Sequence, residues 1–270
     1  MAEQTPEKTQ DYTPLTTQQI EDLIEEVIEA NAVWPDPLPS QVSAVMDIVR
    51  EAHHAQVFRL MVQDREGRLT VEKVSDHLSE LADRVLDLAI GIVWSQLRHR
   101  FRERPRFAAI AYGRLGGKEL GYASDLDLVF LFDDDDERAP EAYALLAQRL
   151  SGWLSTRTAA GLLFEIDLRL RPNGAAGLLV STLPAFEAYQ RDSAWPWEHQ
   201  ALTRARFCAG DRAIGERFEA IRRDVLARRR DLAKLREEVV AMRRKMHDGH
   251  PNRSEMFDLK HDRGGMVDIE

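Results

Sequence analysis

The 270-residue sequence has one cysteine, no long apolar run and no excess of basic residues. The single cysteine, Cys208, excludes an internal disulfide framework and is typical of a protein from a reducing compartment. No apolar stretch approaches the roughly 20 residues that span a bilayer, and the chain begins with a polar segment. The sequence therefore predicts a cytoplasmic protein that has no membrane partner and is not secreted.

Basic residues are too few, and too evenly mixed with acidic ones, to form an obvious stripe. The formal net charge is −9, from 37 Lys and Arg against 46 Asp and Glu. A protein that binds nucleic acid usually presents a basic face that neutralises many phosphates. We therefore expect no nucleic-acid partner.

The first part of the chain is polar and then helical. Residues 1–16 are rich in Thr, Gln and Glu and are predicted to be disordered or tag-like. Residues 17–104 form a predicted helical N-terminal region. Its clearest apolar stripe alternates steps of three and four: Val71, Val74, Leu78, Leu81, Val85, Leu88 and Ile92. Thr70 is placed to cap this helix at its N-terminus.

The pattern changes to short apolar runs in residues 105–183, which we predict to be a catalytic core. Four strands are expected in it, at 107–112, 125–132, 162–171 and 178–180, with a helix at 141–154. The acidic run 133–136 is interpreted as a solvated strand end.

Residues 184–270 return to helical patterns and form a predicted C-terminal helical region. Helices are expected at 184–191, 196–207, 213–229 and 231–247. The predicted fold class is therefore α+β, a small mixed sheet flanked by N-terminal and C-terminal helical regions.

Two aspartates stand on one face of the second predicted strand. Strand side chains alternate between faces, so Asp125 and Asp127 point one way and the intervening leucine the other. Two carboxylates this close repel each other unless a cation lies between them. Magnesium commonly uses one or two carboxylates together with substrate phosphates. The pattern indicates a divalent-metal site.

The third predicted strand repeats this arrangement with arginines added. Glu165, Asp167, Arg169 and Arg171 would share one face. A carboxylate followed along one face by two arginines suits a polyphosphate better than a closed metal cage. The strand therefore favours a nucleotide as the ligand.

A glycine-rich segment, residues 113–122, separates the first two predicted strands. Glycine lets the backbone approach a ligand closely, and a helix that begins at Gly116 and Gly117 would aim free N–H groups at phosphate. Alone such a turn is weak. Together with the Asp-x-Asp strand and a third carboxylate, it points to a nucleotide site.

These motifs resemble a known family. Gly-Gly followed by Ser-Asp-Leu-Asp resembles the nucleotidyltransferase superfamily that includes DNA polymerase beta. The segment GRLGGKELGYASDLDL resembles glutamine synthetase adenylyltransferase more closely. Further segments share this resemblance, which extends over about residues 45–270: KVSDHL at 73–78, DLRLRPNG at 167–174, WEHQAL at 197–202 and GGMVDIE at 264–270.

The resemblance implies a longer enzyme with two related domains. One half adenylylates a tyrosine of glutamine synthetase, and the other removes the AMP by phosphorolysis. The segments 155–158, 174–177 and 197–200 resemble the adenylylating, C-terminal half. The chain stops inside the Asp-Ile-Glu motif, so we expect a truncated fragment.

The resemblance also implies roles for individual residues. Asp125, Asp127 and Asp167 would be the catalytic residues and would hold two Mg²⁺ ions, with Mn²⁺ as an alternative. ATP would be the substrate, and glutamine synthetase and, through the full-length protein, the PII signalling protein would be the partners. The nucleotide would be bound by six residues: Gly116, Gly117, Lys118, Ser124, Arg169 and Arg171.

Three other interpretations stay open. The chain could be the related deadenylylating half, which shares the metal site. It could be a regulatory module of the same fold without catalysis, although a pure scaffold has no need for mutually repelling acids. A nucleotidyltransferase acting on nucleic acid is disfavoured by the acidic balance of the chain.

Overall fold

The computed structural model describes residues 39–249, 251–254 and 256–269. The predicted tag-like segment, 1–16, and residues 17–38 of the predicted helical N-terminal region lie outside these residues. The described chain is a mixed α+β protein in which helices precede, cover and follow one small mixed sheet, as predicted. None of the helices in this part of the chain is long and apolar enough to cross a membrane.

Two long helices come first, α1 (Pro39–Arg65) and α2 (Val71–Ser95). The side chain of Thr70 accepts a hydrogen bond from the backbone N–H of Lys73, so the predicted cap of α2 is confirmed. Most of the predicted apolar stripe of α2 is buried. The buried residues of the stripe pack against the sheet and against the helix Ala139–Ser155, which removes their apolar surface from water.

The sheet and its connections follow these helices. In chain order they are β1 (Phe107–Ala111), α3 (Gly113–Gly116), β2 (Leu126–Phe132), α4 (Ala139–Ser155), β3 (Ile166–Asp167), a 3₁₀ turn (Gly174–Ala176) and β4 (Val180–Thr182). The remaining elements are α5 (Leu183–Asp192), α6 (Pro196–Thr203), β5 (Arg206–Gly210), α7 (Arg212–Leu226), α8 (Leu232–Gly249) and α9 (Met266–Ile269).

Strand β2 lies at the centre of the pairing scheme. It runs antiparallel to β1, which in turn pairs antiparallel with β5. Along its other edge β2 pairs in parallel with two short strands placed end to end, β3 near its start and β4 near its end. Strand β3 therefore places residues from later in the chain beside the beginning of β2, and β4 places others beside its end.

Helices cover both faces of the sheet. One face, which includes Leu128 and Phe130, packs against α2 and α4, and the other, which includes Val129 and Leu131, packs against α5 and α7. Both β1 and β2 are therefore almost completely buried. This burial explains why their sequences are nearly continuous apolar runs.

The third and fourth predicted strands are misplaced. Only Ile166 and Asp167 of the predicted strand 162–171 form a strand, and the fourth strand is 180–182 instead of 178–180. The chain turns away from the sheet after residue 167, where Asn173 adopts a left-handed conformation and the 3₁₀ turn follows. The alternating pattern of 164–170 thus covers a two-residue strand and the beginning of a turn, and not one continuous strand.

The sequence prediction also missed a strand. The helix predicted for 196–207 ends at Thr203, and residues 206–210 form β5. Pairing with β1 satisfies backbone groups that a longer helix would leave facing a sheet edge. The guanidinium of Arg206 adds two hydrogen bonds to Asp83 on α2, at 2.7 and 2.9 Å. Tertiary contacts therefore decide the conformation of this segment.

The acidic run 133–136 is not uniformly solvated, contrary to the interpretation from sequence. The side chain of Asp134 is only 1% exposed. Its carboxylate accepts hydrogen bonds from Arg102 and from the hydroxyl of Tyr143, both at 2.7 Å. This residue joins the end of β2 to α4 and to the segment before β1.

Candidate active site

Strand β2 carries the two aspartates of the Asp-x-Asp motif at its start. Asp127 is the second residue of the strand and Asp125 is the last residue before it. Asp125 is exposed, whereas Asp127 is only partly exposed because the residues on either side of it are buried. Asp127 shares a face with Val129 and Leu131, so it lies where the apolar layer under α5 and α7 ends.

Strand β3 brings Asp167 next to Asp127. The two residues are register partners in the parallel pair of β2 and β3, and neighbouring strands lie about 4.8 Å apart. Burial, together with the charges of Asp125 and Asp167, raises the pKa of Asp127 to about 6. The carboxylates of Asp125 and Asp167 therefore act electrostatically on that of Asp127.

Gly113 lies directly against the Asp127 carboxylate and was not assigned to the site from sequence. Its φ is +54°, and an added Cβ would overlap Oδ2 of Asp127 and approach Cγ to 3.1 Å. Only glycine combines this backbone conformation with this close approach. The sequence signal was a glycine immediately after the first apolar strand, at the start of the glycine-rich segment.

The helix expected to begin at Gly116 and Gly117 ends there instead. Helix α3 spans four residues, Gly113–Gly116, because the chain turns as soon as it leaves the buried strand β1. A Cβ on Gly116 would overlap the carbonyl oxygen of Arg204 and lie 2.7 Å from that of Ala111. The glycine at 116 is thus required for packing α3 against the turn between α6 and β5.

The glycine-rich segment is held in shape by its own side chains. The hydroxyl of Ser124 accepts a hydrogen bond from the backbone N–H of Gly121 at 3.0 Å and from Arg114 at 3.4 Å. The hydroxyl of Tyr122 donates to Asp64 on α1 at 3.0 Å. Lys118 is exposed and has a φ of 55°. Ser124 therefore stabilises the turn that leads into Asp125.

The two arginines that follow Asp167 do not share one strand face, because β3 ends at Asp167. Arg171 folds back and donates to the backbone carbonyls of Leu168, Ala175 and Gly177. Arg169 donates instead to the carboxylate of Asp167. Of the two, only Arg169 forms hydrogen bonds to the acidic cluster, and the guanidinium of Arg171 stabilises the loop.

A second positive charge acts on Asp127 from the C-terminal part of the chain. The pKa of Asp127, which burial raises, is lowered in part by Arg169 and by Lys260. The loop that carries Lys260 is ordered by Asp258, whose carboxylate accepts hydrogen bonds from the backbone N–H groups of Lys260 and His261. Sequence reasoning missed Lys260 because no periodic pattern links this loop to the sheet.

Comparison with known proteins decides the family. The family model described as glutamate-ammonia ligase adenylyltransferase matches residues 2–221. The chain belongs to the glutamate-ammonia ligase adenylyltransferase family.

Curated relatives of this family are similar over most of the chain. A protein of Ralstonia nicotianae is 62% identical over 233 residues, which is 85% of this chain and 24% of the relative. A protein of Aromatoleum aromaticum is 62% identical over 87% of this chain and 25% of its own length. A protein of Burkholderia mallei is 59% identical over 92% of this chain and 28% of its own length.

All three relatives are named bifunctional glutamine synthetase adenylyltransferase/adenylyl-removing enzyme. The chain spans about a quarter of the length of these relatives. The name of each relative therefore describes a protein about four times as long as the region that aligns with this adenylyltransferase-family chain.

The oxygen donors of the family chain suit a hard divalent cation, with one obstacle. Within the described residues, the carboxylates of Asp125 and Asp127 accept no hydrogen bond, so their oxygens are available to a cation. As the side chains stand, no group of three or more His, Cys, Asp or Glu in the described chain is arranged to hold a metal ion. The obstacle is the hydrogen bonding of Asp167 to Arg169, because it occupies the third carboxylate.

Proposed function

We propose that this chain transfers AMP from ATP to a tyrosine hydroxyl of glutamine synthetase and releases pyrophosphate. The observation that carries the proposal is the register pairing of Asp127 with Asp167, beside Asp125, in a chain of this family. Such a cluster of carboxylates costs folding free energy unless a cation neutralises it. The presence of the cluster therefore favours a divalent-metal function.

Each aspartate has a proposed role. Asp125 and Asp127 would hold two Mg²⁺ ions, and Asp167 would hold the ion nearer the attacking oxygen. Bound there, the two ions would activate the attacking oxygen and stabilise the leaving pyrophosphate. A tyrosine hydroxyl has an ordinary pKa near 10. Asp167 would therefore help to remove its proton as the new bond forms.

The residues around the aspartates would bind the nucleotide. The nucleotide-binding set would include Gly116 and Gly117, where α3 packs against the turn between α6 and β5, and Lys118, which is exposed at the same turn. Ser124 would keep the turn in the shape that presents Asp125. Arg171 would act through the backbone of its loop, because its guanidinium is already used by three carbonyls.

The partners follow from the same proposal. Glutamine synthetase would be the protein substrate, and the PII signalling protein would act through parts of the longer protein. The reaction would take place in the cytoplasm, where ATP is available. A single unpaired cysteine is compatible with the reducing conditions there. The net charge of −9 supports the absence of a nucleic-acid or membrane partner.

The test is AMP transfer by the purified chain. Unmodified glutamine synthetase, Mg²⁺ and ATP labelled in the α-phosphate are incubated with the chain, and label in glutamine synthetase is measured. Asp127→Asn should abolish labelling, whereas Asp136→Asn, which alters a carboxylate of the loop after β2, should leave it. Full labelling by Asp127→Asn would refute the role of the aspartates.

A second candidate is removal of AMP, because the relatives' names include an adenylyl-removing activity. It requires the same metal site with phosphate as the attacking group. Incubation of the chain with adenylylated glutamine synthetase and phosphate, in the absence of ATP, tests it by release of ADP. A chain that gives neither reaction, although it binds ATP and Mg²⁺, would be a regulatory module.

A further inference from the structure

Arg169 binds Asp167 more extensively than any other described residue does. Its guanidinium forms hydrogen bonds to both carboxylate oxygens, including one of 2.8 Å from Nε to Oδ2. The backbone N–H of Arg169 also donates to Oδ1 at 2.8 Å. Bidentate contact between a guanidinium and a carboxylate is the strongest geometry for such a pair. These bonds hold the pKa of Asp167 below its ordinary value.

The two partners differ greatly in exposure. The side chain of Asp167 is 15% exposed, whereas that of Arg169 is 80% exposed. Within the described chain, the guanidinium of Arg169 has no other hydrogen-bond partner. An exposed arginine of this kind can leave its carboxylate at low cost, because water replaces the lost hydrogen bonds.

Arg171 provides a contrast within the same loop. Its guanidinium donates to three backbone carbonyls and is only partly exposed. Moving it would leave these carbonyls without partners and would disturb the turn that follows β3. Strand alternation placed the two arginines on one face. In the structure, the guanidinium of Arg169 can move without breaking a hydrogen bond to the loop backbone, whereas that of Arg171 cannot.

We propose that Arg169 is a positioning residue that occupies Asp167 in place of a divalent cation and has to release it before the third carboxylate can bind metal. The inference rests on the proposed function for the identity of the ion. A single positive charge on Arg169 neutralises part of the acidic cluster while the site is free of metal. The residue thereby couples metal binding to the arrival of an anion that can accept the guanidinium.

A triphosphate is such an anion. It carries several oxygens that match the planar fork of a guanidinium. Nucleotide would therefore draw Arg169 away from Asp167 and complete the set of three carboxylates. In the absence of nucleotide, the same arginine keeps metal affinity low.

The experiment is a titration of the whole chain with Mn²⁺ in the absence of nucleotide, with free Mn²⁺ measured by electron paramagnetic resonance. Arg169→Gln removes both the charge and the hydrogen bonds. Arg169→Lys keeps the charge but cannot bridge both carboxylate oxygens. Lys260→Gln is the matched control, because it removes a charge that acts on Asp127 but makes no hydrogen bond to Asp167.

The expected result is an ordered series. Arg169→Gln should bind Mn²⁺ about fivefold more tightly than the unmodified chain, which corresponds to the upper range for an exposed ion pair. Arg169→Lys should fall between the two. Lys260→Gln should change the affinity by less than about twofold, since only a screened charge is lost.

Two outcomes would overturn the proposal, and they differ in what else fails. Equal Mn²⁺ affinity of Arg169→Gln and the unmodified chain, with measurable binding in both, removes the role of Arg169 and leaves the proposed function intact. No Mn²⁺ binding by any of the four proteins, while circular dichroism shows that they are folded, removes the metal site and the proposed function together.

Discussion

The backbone of Gly113 lies so close to the carboxylate of Asp127 that a single methyl group between them would overlap Oδ2. This contact joins the end of β1 to the start of β2, and it fixes where the carboxylate of Asp127, whose pKa is raised to about 6, can lie. The site therefore depends on a residue that has no chemistry of its own.

Replacing Gly113 tests this contact. Gly113→Ala should displace the Asp127 carboxylate and lower AMP transfer about 100-fold, the usual effect of a small misplacement in an active site. Gly91→Ala on α2 is the control, because nothing lies within 4 Å of its added Cβ. That variant should gain up to about 1 kcal/mol in urea unfolding and keep its activity. Full activity of Gly113→Ala would contradict the contact.

Asp127 should reduce the stability of the metal-free protein. Its pKa, raised to about 6 by burial and by neighbouring carboxylates, means that its charged form is disfavoured in the folded state. Asp127→Asn should therefore increase the free energy of unfolding at pH 7.5 by about 1 kcal/mol, once solvent screening is allowed for.

Divalent ions should make the unmodified chain more stable than Asp127→Asn, which reverses the order expected without metal. Mg²⁺ should raise the melting temperature of the unmodified chain, because ligands that bind the folded state stabilise it. The melting temperature of Asp127→Asn should respond much less. Calorimetry with and without Mg²⁺ measures both effects, and an identical response of the two proteins would exclude Asp127 as a ligand.

His53 makes the fold sensitive to acid. Burial, and then the neighbouring His54, lowers the pKa of His53 to about 3, whereas an unfolded histidine has a pKa near 6.5. The unfolded state therefore binds the proton more readily, so stability falls as the pH drops below about 6.5. From pH 7 to pH 5 this residue should cost about 2 kcal/mol.

The measurement is urea unfolding over this pH range for two variants. His53→Gln should lose most of the pH dependence, because the amide does not titrate. His54→Gln, which changes the adjacent exposed histidine, should retain it. A steep pH dependence in His53→Gln would assign the acid sensitivity to other groups.

Arg50 joins α1 to the end of α4 from within the core. Its fully buried guanidinium donates to four backbone carbonyls, those of Met46, Trp153, Thr156 and Gly161. Arg50→Met should lower the free energy of unfolding by about 3 kcal/mol, because four hydrogen bonds of a buried guanidinium are lost. Arg50→Lys should restore little, because one ammonium cannot reach all four.

The control for this prediction is Arg68→Met. Arg68 pairs with Glu66 on the surface, and its side chain is 66% exposed. Its loss should change stability by less than about 0.5 kcal/mol. Equal destabilisation by Arg50→Met and Arg68→Met would show that the buried hydrogen bonds contribute little.

Local patterns were sufficient for much of the fold. The stripe on α2, its cap at Thr70 and the apolar runs of β1 and β2 each reflect a period of 3.6 or 2 that the chain carries in itself. The same patterns misplaced β3 and hid β5. Both segments are strands because of the neighbours they pair with. The spacing of apolar residues within each segment does not specify that pairing.

The candidate site divides in the same way. Strand alternation predicted that Asp125 and Asp127 share one face, whereas the family resemblance implied that Asp167 acts with them. The different positions of Arg169 and Arg171 were not predictable, since strand alternation assigns them to one face. Gly113 and Lys260 were missed because their relation to Asp127 exists only across the fold.

By itself, the amino-acid sequence determined the class of fold, the acidic motif and the family resemblance, since these depend on residue types and short spacings. Tertiary structure alone decided which arginine touches Asp167, which glycine touches Asp127 and where the sheet ends. These features depend on where the chain leaves the sheet and on which segments pack together, and short spacings specify neither. Their positions follow from the packing of the whole molecule, which no local pattern encodes.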